Sequence, residues 1–139
     1  MVIIMIVEIQ KEFFSIDQCM ENPTKLYIFG DNVRRVGRAG QAVIRDCRNS
    51  YGIATKLLPS VNSNAFFRDN SDYHKKIIED DLTNLRSLTT KYDIVTFPRD
   101  GIGTGLSQMP HKCPSLFRFL SIRLYEIFGI KLTYSGFSS

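Results

Sequence analysis

Two segments of this 139-residue chain hold the residue types that phosphate chemistry requires: GDNVRRVGRAGQA at 30–42 and PRDGIGTGL at 98–106. In the first, Asp31 and Asn32 precede Gly37, Gly40, Gln41 and Ala42. In the second, Gly101, Gly103 and Gly105 alternate with Ile102, Thr104 and Leu106. Glycines let a backbone turn tightly and approach a ligand, and a run of amides with little side-chain cover forms a concave nest for an anion. A helix that opens directly after such a loop adds free N–H groups. The first segment matches neither GxGxxG nor the lysine-bearing P-loop, so the expected site is of another pattern.

Charged side chains stand in both segments. Arg34, Arg35, Arg38, Arg45 and Arg48 crowd the first loop and the residues just after it. Arg35 or Arg38 is a candidate for a bidentate phosphate clamp, while the others read as a solvated face or as contacts to nucleic acid. Asp100 lies inside the second loop, where a carboxylate repels phosphate unless it binds a sugar hydroxyl, a metal or an attacking water. Capping of local amides is the competing role. Lys56 reads as an ordinary surface lysine, with a place on the same edge as the alternative. Phe66 and Phe67 are candidates to stack on a base, although core packing is expected of at least one of them.

The elements that must position these residues are set by periodicity. Val2–Ile9 reads as a buried strand, 15–21 as a short helix before Asn22-Pro23, and Lys25–Phe29 as a strand stopping at Gly30. From Gly40 to Ser50, the spacing of Val43, Cys47 and Tyr51 predicts a helix. Gly52–Leu58 is a third strand, followed by a loop to Asn70 in which Phe66 and Phe67 look exposed. Asp72–Leu88 is the clearest helix, with a stripe of Ile77, Ile78, Leu82, Leu85 and Leu88 and caps from 70–72. His74 falls on its outer side. Asp93–Phe97 is a strand running into the second loop. A helix around Leu116–Phe128 starts near Pro114 and stops at Gly129, and Ile130–Tyr134 is a last strand. Alternating strands and helices imply an α/β fold with a mainly parallel sheet covered on both faces. Both loops then lie at strand carboxyl ends, where ligands bind in such sheets.

Composition bounds the rest. The length fits one domain, 1–139, and 43% hydrophobic with 23% charged residues is far from the signature of disorder. The apolar start is interrupted by Glu8 and lacks preceding basic residues and a cleavage site, which argues against a signal peptide. No stretch is long enough to span a bilayer, so no membrane partner is expected. Cys19, Cys47 and Cys113 lack zinc spacing and read as reduced thiols in a cytoplasmic protein, Cys113 with His111 being weak geometry for a nucleophile. No metal site and no cofactor is expected. A net charge of +4 favours anionic partners without choosing among them.

The pattern resembles the macro domains, which bind ADP-ribose and in some members hydrolyse its conjugates. The order Asn32, Gly37, Gly40, Ala42, Ile44 fits the family's first motif, and Ile102, Gly103, Gly105, Leu106 fit its I-G-x-G-L loop after a strand ending in proline. The likeness spans roughly 25–128, and the second motif is the closer. The first departs, with Arg38 and Ala39 where the family has consecutive glycines. The resemblance implies a three-layer α/β/α fold with a mixed, mainly parallel sheet. It implies ADP-ribose, or an ADP-ribosylated substrate, as partner. Asp31 would sit near the adenine, Asn32 near the distal ribose, and 101–106 around the pyrophosphate. Ligand contacts are thus expected from Asp31, Asn32, Arg35, Gly37, Gly40, Gln41 and Gly101 to Leu106. If the protein is a hydrolase, Asn32 orients the sugar and Asp100 is the candidate base. One hydrolase branch has an acid where this chain has Ser107. A binding module without turnover, and a nucleic-acid-binding protein using Arg34–Arg48, are the alternatives.

Overall fold

A computed structural model of the protein describes residues 5–138. Four strands, β1 (Ile6–Gln10), β2 (Lys25–Asn32), β3 (Ser50–Lys56) and β4 (Ile94–Pro98), form a sheet in the order β1-β4-β2-β3, and every pair in it is parallel. The helices are α1 (Ile16–Glu21), α2 (Asp72–Thr89), the short α3 (Met109–Lys112) and α4 (Pro114–Phe128). Two strands, β5 (Lys131–Thr133) and β6 (Gly136–Ser138), form a separate antiparallel hairpin. Among the described residues, no helix is long and apolar enough to cross a membrane.

The period of two along β2 builds the layers. Leu26 and Ile28 point to one face and join the larger core, with Ile78, Leu82 and Leu85 of α2 and Leu116, Leu120 and Leu124 of α4. Tyr27 and Phe29 point to the other, where Phe14, Cys19 of α1, Ala42 and Ile44 cover them. Packing on both faces is what a parallel sheet needs. Local signals set the helix ends. Ser15 and Gln18 form a reciprocal capping box on α1. Ser71 caps α2 by accepting the His74 N–H at 3.1 Å. Pro114 opens α4, and Gly129 ends it at φ +71°.

Several expectations are corrected. The segment from Gly40 is a 3-10 turn over Gly40–Ile44, not a helix to Ser50. Side chains there compete for the backbone. Ser50 donates to the Cys47 carbonyl at 2.8 Å, and Asn49 reaches the carbonyls of Cys19 and Lys25 at 3.0 and 2.9 Å. Strand β2 continues past Gly30 to Asn32, with a register irregularity between Asp31 and Asn32. The stretch expected as a last strand lies in the hairpin, apart from the sheet. Of the expected first strand, 5–9 lies within the described residues and 2–4 outside them. Phe66 and Phe67 are buried, as is His74, which stacks on Phe67 and accepts the Arg68 N–H through Nδ1 at 2.9 Å. Their burial removes all three from the surface.

The hairpin is fastened to the start of the second glycine loop. Phe137 donates its N–H to the Arg99 carbonyl at 2.9 Å, and a Cβ on Gly136, at φ +113°, would collide with that same oxygen. Gly136→Ala should therefore cost about 3 kcal/mol of stability. Gly129→Ala, also at positive φ but with nothing within 4 Å, should cost only about 1 kcal/mol. Denaturant melts of the two variants check this, and equal losses would refute the packing argument.

Candidate functional site

Strands β2 and β4 are neighbours, so the segments leaving their carboxyl ends come side by side. The contact is close: a Cβ on Gly30 would lie 3.6 Å from the Gly103 nitrogen and 3.7 Å from Thr55 Oγ1. Two recesses open between the segments. The outer one, about 270 Å³, is lined by Phe13, Gly40, Gln41, Asp100, Gly101, Gly103, Thr104 and Gly105. The inner one, about 160 Å³, is lined by Asp31, Asn32, Val36, Gly37, Arg38, Arg45 and Lys56. Gly30, Ala39, Leu106 and Ser107 border both and make them one cleft.

The backbone of this cleft is rich in free donors. Among the described residues, no protein group accepts from the N–H of Ile102 through Ser107, or from those of Val36 through Ala39. Gly101 and Gly103 stand at φ +100° and +81°, and a Cβ on Gly103 would strike Met109 Sδ at 2.5 Å, so glycine is required there. Ile102 lines neither recess. Its side chain is buried in the larger core and anchors the loop.

Asp31 faces the first segment but is already occupied. Arg45 Nη1 and Nη2 donate to its two carboxylate oxygens at 2.9 and 2.5 Å, and the Asn32 N–H adds a bond at 2.8 Å. Arg45 also holds the loop, donating to the Gly37 carbonyl at 2.7 Å and the Val36 carbonyl at 3.1 Å. Arg35 turns away from the cleft. Its guanidinium grips buried Asp81 at 2.7 and 2.8 Å and the Gly52 carbonyl at 3.0 Å. Arg38 borders the inner recess, but its charge pairs with Asp46 on the surface. Gln41 spends its Oε1 on the Phe14 N–H at 3.0 Å. Asp100 is exposed beside the outer recess, and its carbonyl accepts from Thr104 Oγ1.

Two groups in the inner recess are incompletely matched, one lacking a hydrogen bond and the other a counter-ion. Asn32 is only 7% exposed; its Nδ2 donates to the Val36 carbonyl at 2.8 Å, while its Oδ1 is buried with no hydrogen bond. A buried acceptor left unmade costs free energy, and a donor on a ligand would satisfy it. Lys56 is likewise 7% exposed. Its ammonium donates to the Ser60 carbonyl at 2.9 Å and sits 5.0 Å from the centre of the Phe66 ring, and among the described residues no carboxylate pairs with it. Burial pulls its pKa below the ordinary lysine value. A buried cation without a counter-ion beside a row of free amides leaves positive potential in the recess uncompensated.

Sequence reasoning thus brought most of its candidates to one place: Asp31, Asn32, Gly37, Gly40, Gln41, Asp100, Gly101 and Gly103–Leu106 all line the cleft. It did not raise Phe13, placed Ser107 only where one hydrolase branch has an acid, and favoured a surface lysine for Lys56 over the place on this edge that the structure gives it. Lys56 comes after Thr55 at the end of a strand, and the burial of that strand was the available signal. Ser107 Oγ lies 2.5 Å from Thr55 Oγ1, which itself donates to the Asp31 carbonyl at 3.1 Å, so the hydroxyl chain ends on β2. The Cys113 thiol is buried and pushed up to about 12, and His111 is exposed, so the two do not form a nucleophile pair. No metal-holding cluster of His, Cys, Asp or Glu exists among the described residues. A larger groove, about 670 Å³, lies between α4 and the hairpin, lined by residues such as Phe117, Arg118, Leu132 and Tyr134. Its described residues include no unpartnered buried polar side-chain atom, unlike those of the smaller cleft.

Two substitutions separate holding from binding. Arg45→Met leaves Asp31 buried with only Arg35, 3.6 Å away, as a cation, and should lower stability by about 3 kcal/mol in a denaturant melt. Lys56→Met should leave the melting temperature unchanged or raise it, because it removes a buried unpaired charge, while weakening anion affinity at least five-fold by titration. The lowered lysine pKa gives the sign of the pH dependence. For an anion held by this ammonium, affinity should fall as pH rises toward a value below 10.5, while exposed lysines are still charged.

No curated protein and no solved structure matches the chain. A model of a family of unknown function, DUF7831, matches residues 9–123, most of its length, and the chain belongs to that family.

Proposed function

We propose that this protein binds ADP-ribose or a related nucleoside-diphosphate sugar in the cleft between its two glycine segments, in a macro-like three-layer fold. The observation that carries the reading is the uninterrupted run of free N–H groups from Gly103 to Ser107, on residues that line the same cleft as the partnerless Asn32 Oδ1 and the Lys56 ammonium, which has no carboxylate partner among the described residues. Backbone donors in a row suit phosphate oxygens. A lone acceptor in the adjoining recess suits a sugar hydroxyl, and the buried ammonium suits the diphosphate charge. In this reading Asp31 does not contact the ligand directly, because Arg45 occupies both of its oxygens; it holds the loop that does.

Binding without turnover is the form of the reading that the geometry favours. Asp100 borders the outer recess and Asn32 the inner one, so base and sugar-orienting residue do not share a chamber. Ser107, at the place of the acid in one hydrolase branch, brings a hydroxyl bonded to Thr55 and no carboxylate. A role for the arginine cluster on nucleic acid has less support, since Arg35, Arg38 and Arg45 are paired with Asp81, Asp46 and Asp31. Three free thiols are consistent with a cytoplasmic setting.

Calorimetric titration with ADP-ribose, AMP and NAD is the direct test. ADP-ribose should bind more tightly than AMP, and Gly103→Ala should abolish most of that affinity. No heat from any of the three up to millimolar concentration would overturn the proposal. Release of ADP-ribose from a modified protein, lost in Asp100→Ala, would establish turnover instead. Affinity for nucleic acid that falls steeply with salt and survives Gly103→Ala would favour the third reading.

A further inference from the structure

We infer that Phe13 is the platform on which the base of the bound nucleotide stacks. This rests on the reading of the cleft as a nucleotide site and assigns its outer recess. Phe13 is 55% exposed, an unfavourable state for a large aromatic ring, and it lines the outer recess together with residues 103–107, whose amides are free. Its place there is built. The next residue, Phe14, is buried against Tyr27 in an edge-on contact with ring centres 5.2 Å apart. The Phe14 N–H is held by Gln41 of the first loop at 3.0 Å. With its neighbour pinned inward from both sides, Phe13 is kept on the wall of the recess. Leu106, 65% exposed, borders the same space and extends its apolar surface. The two recesses therefore differ in chemistry: the inner one offers an acceptor and a cation, the outer one an aromatic face beside phosphate donors. A nucleotide laid with its base on Phe13, its phosphates over 103–107 and its hydroxylated end toward Asn32 matches that order. Phe66 and Phe67, which the sequence offers for the same task, are buried and cannot perform it.

The test is a titration of wild type, Phe13→Ala and Phe13→Trp with ADP-ribose and with inorganic pyrophosphate. Phe13→Ala should weaken ADP-ribose roughly ten-fold and leave pyrophosphate within two-fold, as expected for loss of one base–aromatic stack. The chain contains no tryptophan, so Phe13→Trp introduces a single reporter whose fluorescence ADP-ribose should quench and pyrophosphate should not. Unchanged ADP-ribose affinity in Phe13→Ala, or an equal loss for both ligands, would overturn the assignment while leaving the nucleotide reading intact. Wild type that binds neither ligand would remove both. Wild type that binds pyrophosphate alone would leave an anion site and reject the base platform.

Discussion

The interaction on which the cleft depends is the buried pair of Asp31 and Arg45. Strand β2 ends in a carboxylate whose side chain is almost wholly enclosed, and Arg45 meets it with both terminal nitrogens. Its enclosure is possible because Gly52 faces it on β3: a Cβ there would come within 2.5 Å of the carboxylate. Removing one member of such a pair strands a charge in the interior, so the pair is strongly constrained once formed. Its further effect is directional. Arg45 draws the carbonyls of Val36 and Gly37 toward itself. In a trans peptide the N–H opposes the C=O, so the amides of Gly37 and Arg38 turn away from Arg45. The ion pair thereby orients the first loop, together with Asn32 Nδ2, which also holds the Val36 carbonyl.

The fold was largely legible because each long element carries its own signal. The stripe of α2, the proline and glycine bounding α4, and the apolar strands β2 and β4 are local patterns, and they specified an α/β arrangement with both loops at one sheet edge. The errors fall where tertiary contacts override local pattern. The 40–50 segment has helical spacing, yet Asn49 and Ser50 divert its hydrogen bonds to other elements. Phe66, Phe67 and His74 lie in or beside a polar stretch, yet they are buried because that stretch folds back over β3, as the Lys56 and Phe66 pairing records.

The site was legible in its backbone and less so in its charges. Glycine spacing announces where amides will be free, since it is a property of the chain itself. Arginine spacing announces only that positive charge is present. Whether an arginine is free depends on a partner distant in sequence: Asp81 lies 46 residues beyond Arg35 and bonds both it and the Ala54 N–H. So Arg35, at φ +55° within the loop, serves the scaffold, while an unremarkable Lys56 is left as the buried cation without a counter-ion. Phe13 was invisible for the same reason, because nothing local marks which of two adjacent phenylalanines will be turned outward.

The two loops consequently reach a similar arrangement of donors by different physical means. The second loop is fixed by its own backbone: positive φ at Gly101 and Gly103, the buried anchor Ile102, and the Met109 N–H closing on the Gly103 carbonyl at 2.9 Å. The first is fixed by side chains reaching in from elsewhere, with Arg45 holding carbonyls at 36 and 37 and Gln41 tied to Phe14. Backbone-determined geometry tolerates change in surrounding charge, whereas geometry held by ion pairs varies with the residues that supply it. In the proposed reading the second loop would serve the common chemistry of phosphate, and the first whatever distinguishes one phosphate-bearing ligand from another. With arginine and alanine at 38 and 39 the cleft keeps its form because, on that side, shape is imposed from outside the loop.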